Sequence, residues 1–255
     1  MQQRPRLICL PPAGAGPSLY RPWMSRHPAH VEVLPVSLPG RESRIAEPLP
    51  ESLDALAEHL AEELEEQLVG RFALFGYSMG ALLGLEMARR WEKWGLPAPD
   101  VLFVLACNAP DRLLAGRDPI HRMPAPLFRQ TLQDIGGTPT EILENEEAMA
   151  LFEPVLRNDF RICETYGAPS DGRLVECGAH VFVAERDNLV QWEDAAGWAD
   201  FVAGDLRMHR LQGNHMLERS QFDAVLDTAL ELWLGVAAQV ASVRDLGVAG
   251  PIARA

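Results

Sequence analysis

The chain has 255 residues, 47% of them hydrophobic and 23% charged, enough to bury one substantial core, or a core with a small appended unit. Its net charge of -13 excludes a general nucleic-acid binder, which needs a cationic face, and disfavours docking on an anionic membrane surface. The longest apolar run, Val101–Cys107, is far too short to span a bilayer, and the N-terminus lacks the long apolar stretch of a signal peptide. Cys9, Cys107, Cys163 and Cys177 form no C-x-x-C pair; their wide spacing predicts no zinc site and no dense disulfide framework. A cytoplasmic, reducing compartment is the default expectation.

In chain order, the first predicted strand is Arg6–Leu10, stopped by Pro11-Pro12. Val31–Leu38 follows, closed by Pro39-Gly40. After Ser52, a helix N-cap, Leu53, Leu56, Leu60, Leu64 and Leu68 recur at helical spacing. The interleaved Glu58, Glu62, Glu63, Glu65 and Glu66 read as its solvated face rather than a docking surface. Strand Phe72–Tyr77 leads into a helix that runs to about Trp94. Val101–Cys107 is continuously apolar, as a strand buried on both faces should be. His180–Ala184 and Leu206–Leu211 complete six strands, and a helix over Phe222–Leu234 closes the fold. Strands alternating with helices predict an α/β class, with a mostly parallel central sheet flanked by helices.

One stretch breaks the alternation. From Asp111 to Gly178 there are only helical patterns (Pro126–Asp134, Asn145–Phe152, Val155–Thr165), interrupted by Gly136-Gly137 and prolines. That is too long for an ordinary crossover, and it predicts a helical lid inserted over the carboxyl edge of the sheet. The expected division is therefore 1–110 and 179–239 as core, 111–178 as lid and 240–255 as a frayed tail.

The sharpest motif is Gly76-Tyr77-Ser78-Met79-Gly80, a G-x-S-x-G sequence between a strand and a helix. Small flanking residues allow a tight turn that projects the serine hydroxyl, so Ser78 is the expected nucleophile. A serine needs a base, and in this architecture the order is Ser, then acid, then His. His215, in the loop after the last strand, is the candidate base. His180 and His209 read as packed or edge residues, and His27, His30, His59 and His121 fall too early or on the wrong elements. Asp187, deep in the loop after His180–Ala184, is the expected acid; Glu185 is the alternative, and Asp194 reads as helix surface. The oxyanion donors are expected to be the N–H of Met79 and, since prolines have none, that of Ala13. Gly14-Ala15-Gly16 lacks both the further glycine of a dinucleotide loop and the Lys-Ser/Thr of a P-loop.

With these residues in place, the chain resembles the type II thioesterases that accompany nonribosomal peptide and polyketide synthases, over about Leu7–Leu234. The resemblance is carried by Leu10-Pro11-Pro12-Ala13-Gly14, Leu38-Pro39-Gly40-Arg41-Glu42, Phe75–Ala81, Ile135-Gly136-Gly137-Thr138-Pro139, Arg157-Asn158-Asp159-Phe160 and Glu164-Thr165-Tyr166. It implies an α/β-hydrolase fold, the triad Ser78, Asp187 and His215, and oxyanion donors at Met79 and Ala13. It also implies an enzyme that hydrolyses stalled or incorrect acyl groups from the phosphopantetheine arm of carrier-protein domains. No metal or organic cofactor is suggested by the sequence, and a monomer is expected. Pro12 and Tyr77 stand where the family usually has histidines, Leu105-Ala106-Cys107-Asn108 replaces a Ser-Gly-Arg-Arg segment, and Asn188 follows Asp187 where proline is usual. The alternatives are a general carboxylesterase, an integrated product-releasing thioesterase, which a separate chain disfavours, and a non-catalytic receptor. Arg112, Arg117, Arg122 and Arg129 in the lid, and Arg41 and Arg44, are candidates for meeting an acidic carrier, set against ordinary solvated arginines.

Overall fold

The computed structural model describes residues 4–114 and 116–235. The expected tail 240–255, and the last residues of the expected core, lie outside them. Six strands form one sheet: β1 (Arg6–Leu10), β2 (Glu32–Pro35), β3 (Phe72–Tyr77), β4 (Val101–Leu105), β5 (Gly178–Ala184) and β6 (Leu206–Leu211). Their order is β2-β1-β3-β4-β5-β6, and every neighbouring pair is parallel. The helices are α1 (Arg21–Met24), α2 (Leu53–Glu63), α3 (Met79–Lys93), α4 (Ala125–Ile135), α5 (Thr140–Leu143), α6 (Glu146–Glu164), α7 (Trp192–Ala195) and α8 (Arg219–Leu234).

The alternation of a strand explains the two-sided core. Ile8, Leu10, Leu74, Leu102 and Val104 face α2 and α3. Their chain neighbours Leu7, Cys9, Ala73, Phe75 and Phe103 face Tyr20, Trp23 and the α8 residues Phe222, Val225 and Leu226. Both faces are buried, which is why these strands read as unbroken apolar runs. The chain leaves β1 toward β2 on one side and then crosses to β3 on the other. The carboxyl ends of β1 and β3 thus border a topological switch point, where crevices form in open parallel sheets.

The element boundaries depart from expectation where local chemistry intervenes. β2 is shorter than Val31–Leu38 because Pro35 has no N–H for the ladder, although Val36 N–H still donates to Cys9 O (2.9 Å). β4 ends at Leu105 because Ala106 adopts a left-handed backbone (φ 52°). Ser52 does cap α2, its Oγ accepting from Ala55 N–H at 3.0 Å, but the α-helix stops at Glu63 and continues as a 3₁₀ turn, Glu65–Gln67. The two helices expected over Asn145–Phe152 and Val155–Thr165 are a single one, α6, running through Pro154. A mid-helix proline deprives the carbonyl four residues earlier of its donor, here Ala150, and Ala150 is exposed, so water can satisfy it.

Between β4 and β5 the described residues form no strand beyond the single bridge Val175–Val202, and α4, α5 and α6 pack on a small core of their own: Phe128, Leu132, Leu143, Met149 and Leu156. No helix among the described residues is long and apolar enough to cross a membrane.

His180 and His209 sit on neighbouring strands, rings stacked with centroids 5.1 Å apart and Nδ1 to Nε2 at 2.9 Å. Burial, with Arg207 close by, lowers both pKa values from 6.5 to about 4. Both rings are therefore neutral in the folded state while the unfolded chain takes up protons below about 6.5. Stability from the pair is complete above pH 6.5 and is lost as pH falls toward 4. In urea titrations, His180→Leu/His209→Phe should flatten this acid limb relative to the native protein. Parallel limbs in the two proteins would contradict the assignment.

Candidate active site

Ser78 occupies the turn between β3 and α3 with φ 50° and ψ -114°, a region that costs a non-glycine residue about 1–3 kcal/mol. The turn is pinned on both sides: Ser78 N–H donates to Leu105 O (2.8 Å), and Ser78 O accepts from Ala81 N–H (2.9 Å). Both glycines of the motif are required by close backbone approach. A Cβ on Gly76 would lie 2.3 Å from Ala81 Cα, and one on Gly80 would lie 2.1 Å from Leu10 O. The motif thus packs α3 directly against the end of β1, and the loop after β1 falls beside Ser78.

That loop narrows the oxyanion donors. Ala15 N–H donates to Pro12 O (3.1 Å), and Gly14 N–H donates to Asp159 Oδ2 (2.8 Å). Pro11 and Pro12 have no N–H, which leaves Ala13 as the first donor without an acceptor. Met79 N–H, at the first position of α3, has none either. Both expected donors are therefore free among the described residues, and Ala13 and Ser78 line one cavity.

Asp187 and His215 meet after β5 and β6. Both are buried, and His215 Nδ1 lies 2.9 Å from Asp187 Oδ2 and 3.1 Å from Oδ1. Asp187 Oδ1 also accepts from Leu189 N–H (2.8 Å) and Val190 N–H (3.0 Å), which fixes the carboxylate in its loop. With Nδ1–H directed at the carboxylate, the assigned tautomer leaves Nε2 as the acceptor. Ser78 and His215 share the walls of two cavities without a hydrogen bond between them; such contacts commonly tighten only when substrate fills the site. Glu185, the alternative acid, instead accepts from Gln212 Nε2 (2.7 Å).

Two residues that depart from the family pattern hold this machinery, and inspection of the sequence left their roles open. Tyr77 is buried, and its hydroxyl donates to His215 O (2.7 Å) while accepting from Leu217 N–H (3.0 Å). Burial pushes its pKa well up, so the hydroxyl stays a donor. Asn108 grips the acid loop: its Nδ2 donates to Leu189 O (3.1 Å) and its Oδ1 accepts from Gln191 N–H (3.1 Å). A polar residue next to the nucleophile in an otherwise apolar strand was the available signal for Tyr77.

Two cavities, about 230 Å³ and 500 Å³, converge on Ser78, His215, Leu189 and Phe160. The smaller runs between the Pro12–Ala15 loop and the α4–α5 connection; the larger passes Leu82, Leu113 and Thr131. Cys107 lines the larger one, but burial raises its pKa far above the usual thiol range and keeps it protonated. Among the described residues no cluster of three or more His, Cys, Asp or Glu is placed to hold a metal.

The arginines considered for docking are largely bonded within the chain, most of them at its surface. Arg129 donates to Glu146 (2.7 Å), Arg112 to Glu193 O (3.0 Å), and Arg117 to Leu113 O (3.0 Å) and Leu114 O (3.1 Å). Arg122 donates to His121, Arg44 is held by Glu47 and Glu63, and Arg41 is buried.

A model of the thioesterase domain matches residues 5–232. The chain belongs to the thioesterase family. A Brevibacillus parabrevis protein called linear gramicidin dehydrogenase LgrE is 34% identical over 228 residues, 87% of this chain and 86% of that one. The RedJ thioesterase of the prodiginine biosynthetic pathway in Streptomyces coelicolor superposes with a TM-score of 0.83 at 33% identity, covering 91% of this chain and 94% of that one. BorB, a type II thioesterase from the borrelidin biosynthetic cluster, does so with a TM-score of 0.78 at 30% identity, covering 91% and 92%.

Replacing Tyr77 with Phe leaves His215 O and Leu217 N–H without their partner. The enzyme should lose about 1–3 kcal/mol of stability. Its kcat should fall about tenfold with KM little changed, because the loss falls on placement of the base. Steady-state kinetics with a melting curve check both; an unchanged kcat would remove Tyr77 from the site's support.

Proposed function

We propose that this thioesterase is a type II, editing enzyme that hydrolyses acyl groups from the phosphopantetheine arm of carrier-protein domains in nonribosomal peptide or polyketide biosynthesis. The observation that carries the reading is the convergence of Ser78, Asp187 and His215, with two free backbone donors, where two cavities meet beneath a helical segment. Its support comes also from the biosynthetic-pathway thioesterases to which the chain is similar over nearly its whole length. Two channels reaching one nucleophile suit a substrate with two long arms, an acyl chain on one side of the thioester and a pantetheine chain on the other. The helices between β4 and β5 serve in this reading as the lid.

In the proposed mechanism His215 Nε2 takes the Ser78 hydroxyl proton as Oγ attacks the thioester carbonyl. Asp187 holds the imidazole and stabilises its charged form. The N–H groups of Met79 and Ala13 receive the oxyanion. The tetrahedral adduct collapses, the carrier thiol leaves with the proton from His215, and an acyl-serine remains. Water, deprotonated by His215, then releases the acid and restores Ser78. We include in the proposal that no resident cofactor takes part, and that the enzyme works in a reducing cytoplasm, in keeping with four unpaired cysteines.

Carrier proteins loaded with acetyl, propionyl and longer acyl-phosphopantetheine should lose the acyl mass in intact-mass spectrometry with the native enzyme, faster than the matching acyl-CoA is hydrolysed. Ser78→Ala should abolish the loss. If simple esters turn over while no carrier is deacylated, a general esterase is the correct reading. Asp187→Asn should fold normally yet lower kcat by ~10³–10⁴-fold, through loss of the correct His215 tautomer. A drop below tenfold would mean that another acid orients His215.

A further inference from the structure

Two sequence segments that carry the family resemblance have no part in the triad: Leu38–Glu42, after β2, and Arg157–Phe160, on α6. The fold brings them into contact. Asp159 is fully buried, and its carboxylate receives Arg41 Nη1 at 2.5 Å and Nη2 at 2.9 Å, a bidentate pair. The same Oδ2 accepts Gly14 N–H, and Arg41 Nη1 also donates to Ala15 O (3.3 Å). The pair therefore holds the Pro12–Ala15 turn at two of its backbone groups. A third contact is steric, since a Cβ on Gly14 would lie 2.3 Å from Leu156 Cδ2 of α6.

We propose that Arg41 and Asp159 are positioning residues for the oxyanion hole, so that α6 is a working part of the acyl-transfer site rather than only its cover. The geometry follows from peptide planarity. Pro12 O is held by Ala15 N–H (3.1 Å), and in a trans peptide the N–H points opposite the C=O. The Ala13 N–H is thereby turned away from the interior of the turn. That orientation lasts only while the turn keeps its shape, and the turn's far side is what Asp159 and Arg41 grip. A carboxylate and a guanidinium withdrawn from water hold it rigidly, because water does not compete for their hydrogen bonds.

Other contacts seat α6 on the core in the same way. Asn158 Nδ2 donates to Pro50 O (3.1 Å), Arg161 to Glu51 O (2.9 Å), and Tyr166 Oη to Glu86 Oε1 (2.7 Å). Any opening of the lid during turnover then belongs to α4 and α5, which flank the Gly136-Gly137 pair, while α6 stays in place.

The proposal rests on the serine acyl-transfer reading above, and the test separates the two. Hydrolysis of a p-nitrophenyl ester by the native enzyme, lost in Ser78→Ala, tests that reading by itself. An aryl trifluoromethyl ketone then probes the oxyanion hole: Ser78 Oγ adds to the carbonyl carbon, the proton passes to His215, and the oxygen becomes an alkoxide facing Met79 and Ala13. Removing one charge strands the other, so the principal variant removes both, Arg41→Met/Asp159→Leu. Asp159→Asn, which keeps the side-chain volume, is the second. Whichever variant folds should lower kcat and weaken ketone inhibition by the same factor, about 10–100-fold, with KM within about twofold. That is less than outright loss of both donors. A folded variant that keeps native ketone affinity, whatever its kcat, overturns the proposal.

Discussion

The site depends on one constrained turn. Ser78 can hold its left-handed backbone because β3 and β4 are already paired, giving Ser78 N–H the carbonyl of Leu105 as acceptor. Gly80 lets α3 begin against the end of β1. The same contact that relieves the strain brings the loop after β1 beside the nucleophile, and with it the second oxyanion donor. The strain of about 1–3 kcal/mol is thus offset by sheet and helix packing that the fold requires in any case. In return the hydroxyl projects from a fixed position at the N-terminus of α3, where the helix dipole favours developing negative charge.

The rest of the site is arranged so that no catalytic group relies on its own loop. The His215 loop is held by Tyr77, adjacent in sequence to the nucleophile. The Asp187 loop is held by Asn108, beyond the end of β4. The oxyanion loop is held by Asp159 from the helical segment and by Arg41 from the loop after β2. Tyr77, Asn108 and Arg41 each cross from or beyond one strand's carboxyl end to the loop after another, which the parallel sheet makes possible by placing all those ends along one edge, while Asp159 reaches the oxyanion loop from α6. Two of the supports, Tyr77 and Asn108, occupy positions at which the sequence departs from the pattern it resembles.

Electrostatics in the site are economical. The Arg41–Asp159 pair is withdrawn from water, and removing only one member would leave a buried charge at a cost of about 3–5 kcal/mol. Such a pair adds little net stability compared with well-packed apolar residues, so its value lies in direction: two parallel hydrogen bonds fix the relative position of α6 and the core loops. Cys107, beside the nucleophile in the larger cavity, stays a neutral thiol because its burial and the Asp187 carboxylate both raise its pKa.

Much of this protein was legible in its residues. Apolar runs ended by prolines and glycines marked six strands, since a strand covered on both faces needs apolar side chains at every position. The glycines around Ser78, and the order Ser78, Asp187, His215 after three strands, marked a candidate triad whose members the fold brings to one edge, because parallel strands deliver their following loops there. Even Ala13 followed from the missing N–H groups of Pro11 and Pro12. Helical spacing could not reveal that α6 passes through Pro154, which depends on whether Ala150 O faces solvent. Nor could it reveal that Arg41 is buried: an arginine in a loop reads as solvated until a carboxylate 118 residues away closes over it. The partner of a long side chain is set by which surfaces the packed core brings together. That is why the candidate catalytic residues could be named from the chain, whereas the residues that hold them became visible only in the folded molecule.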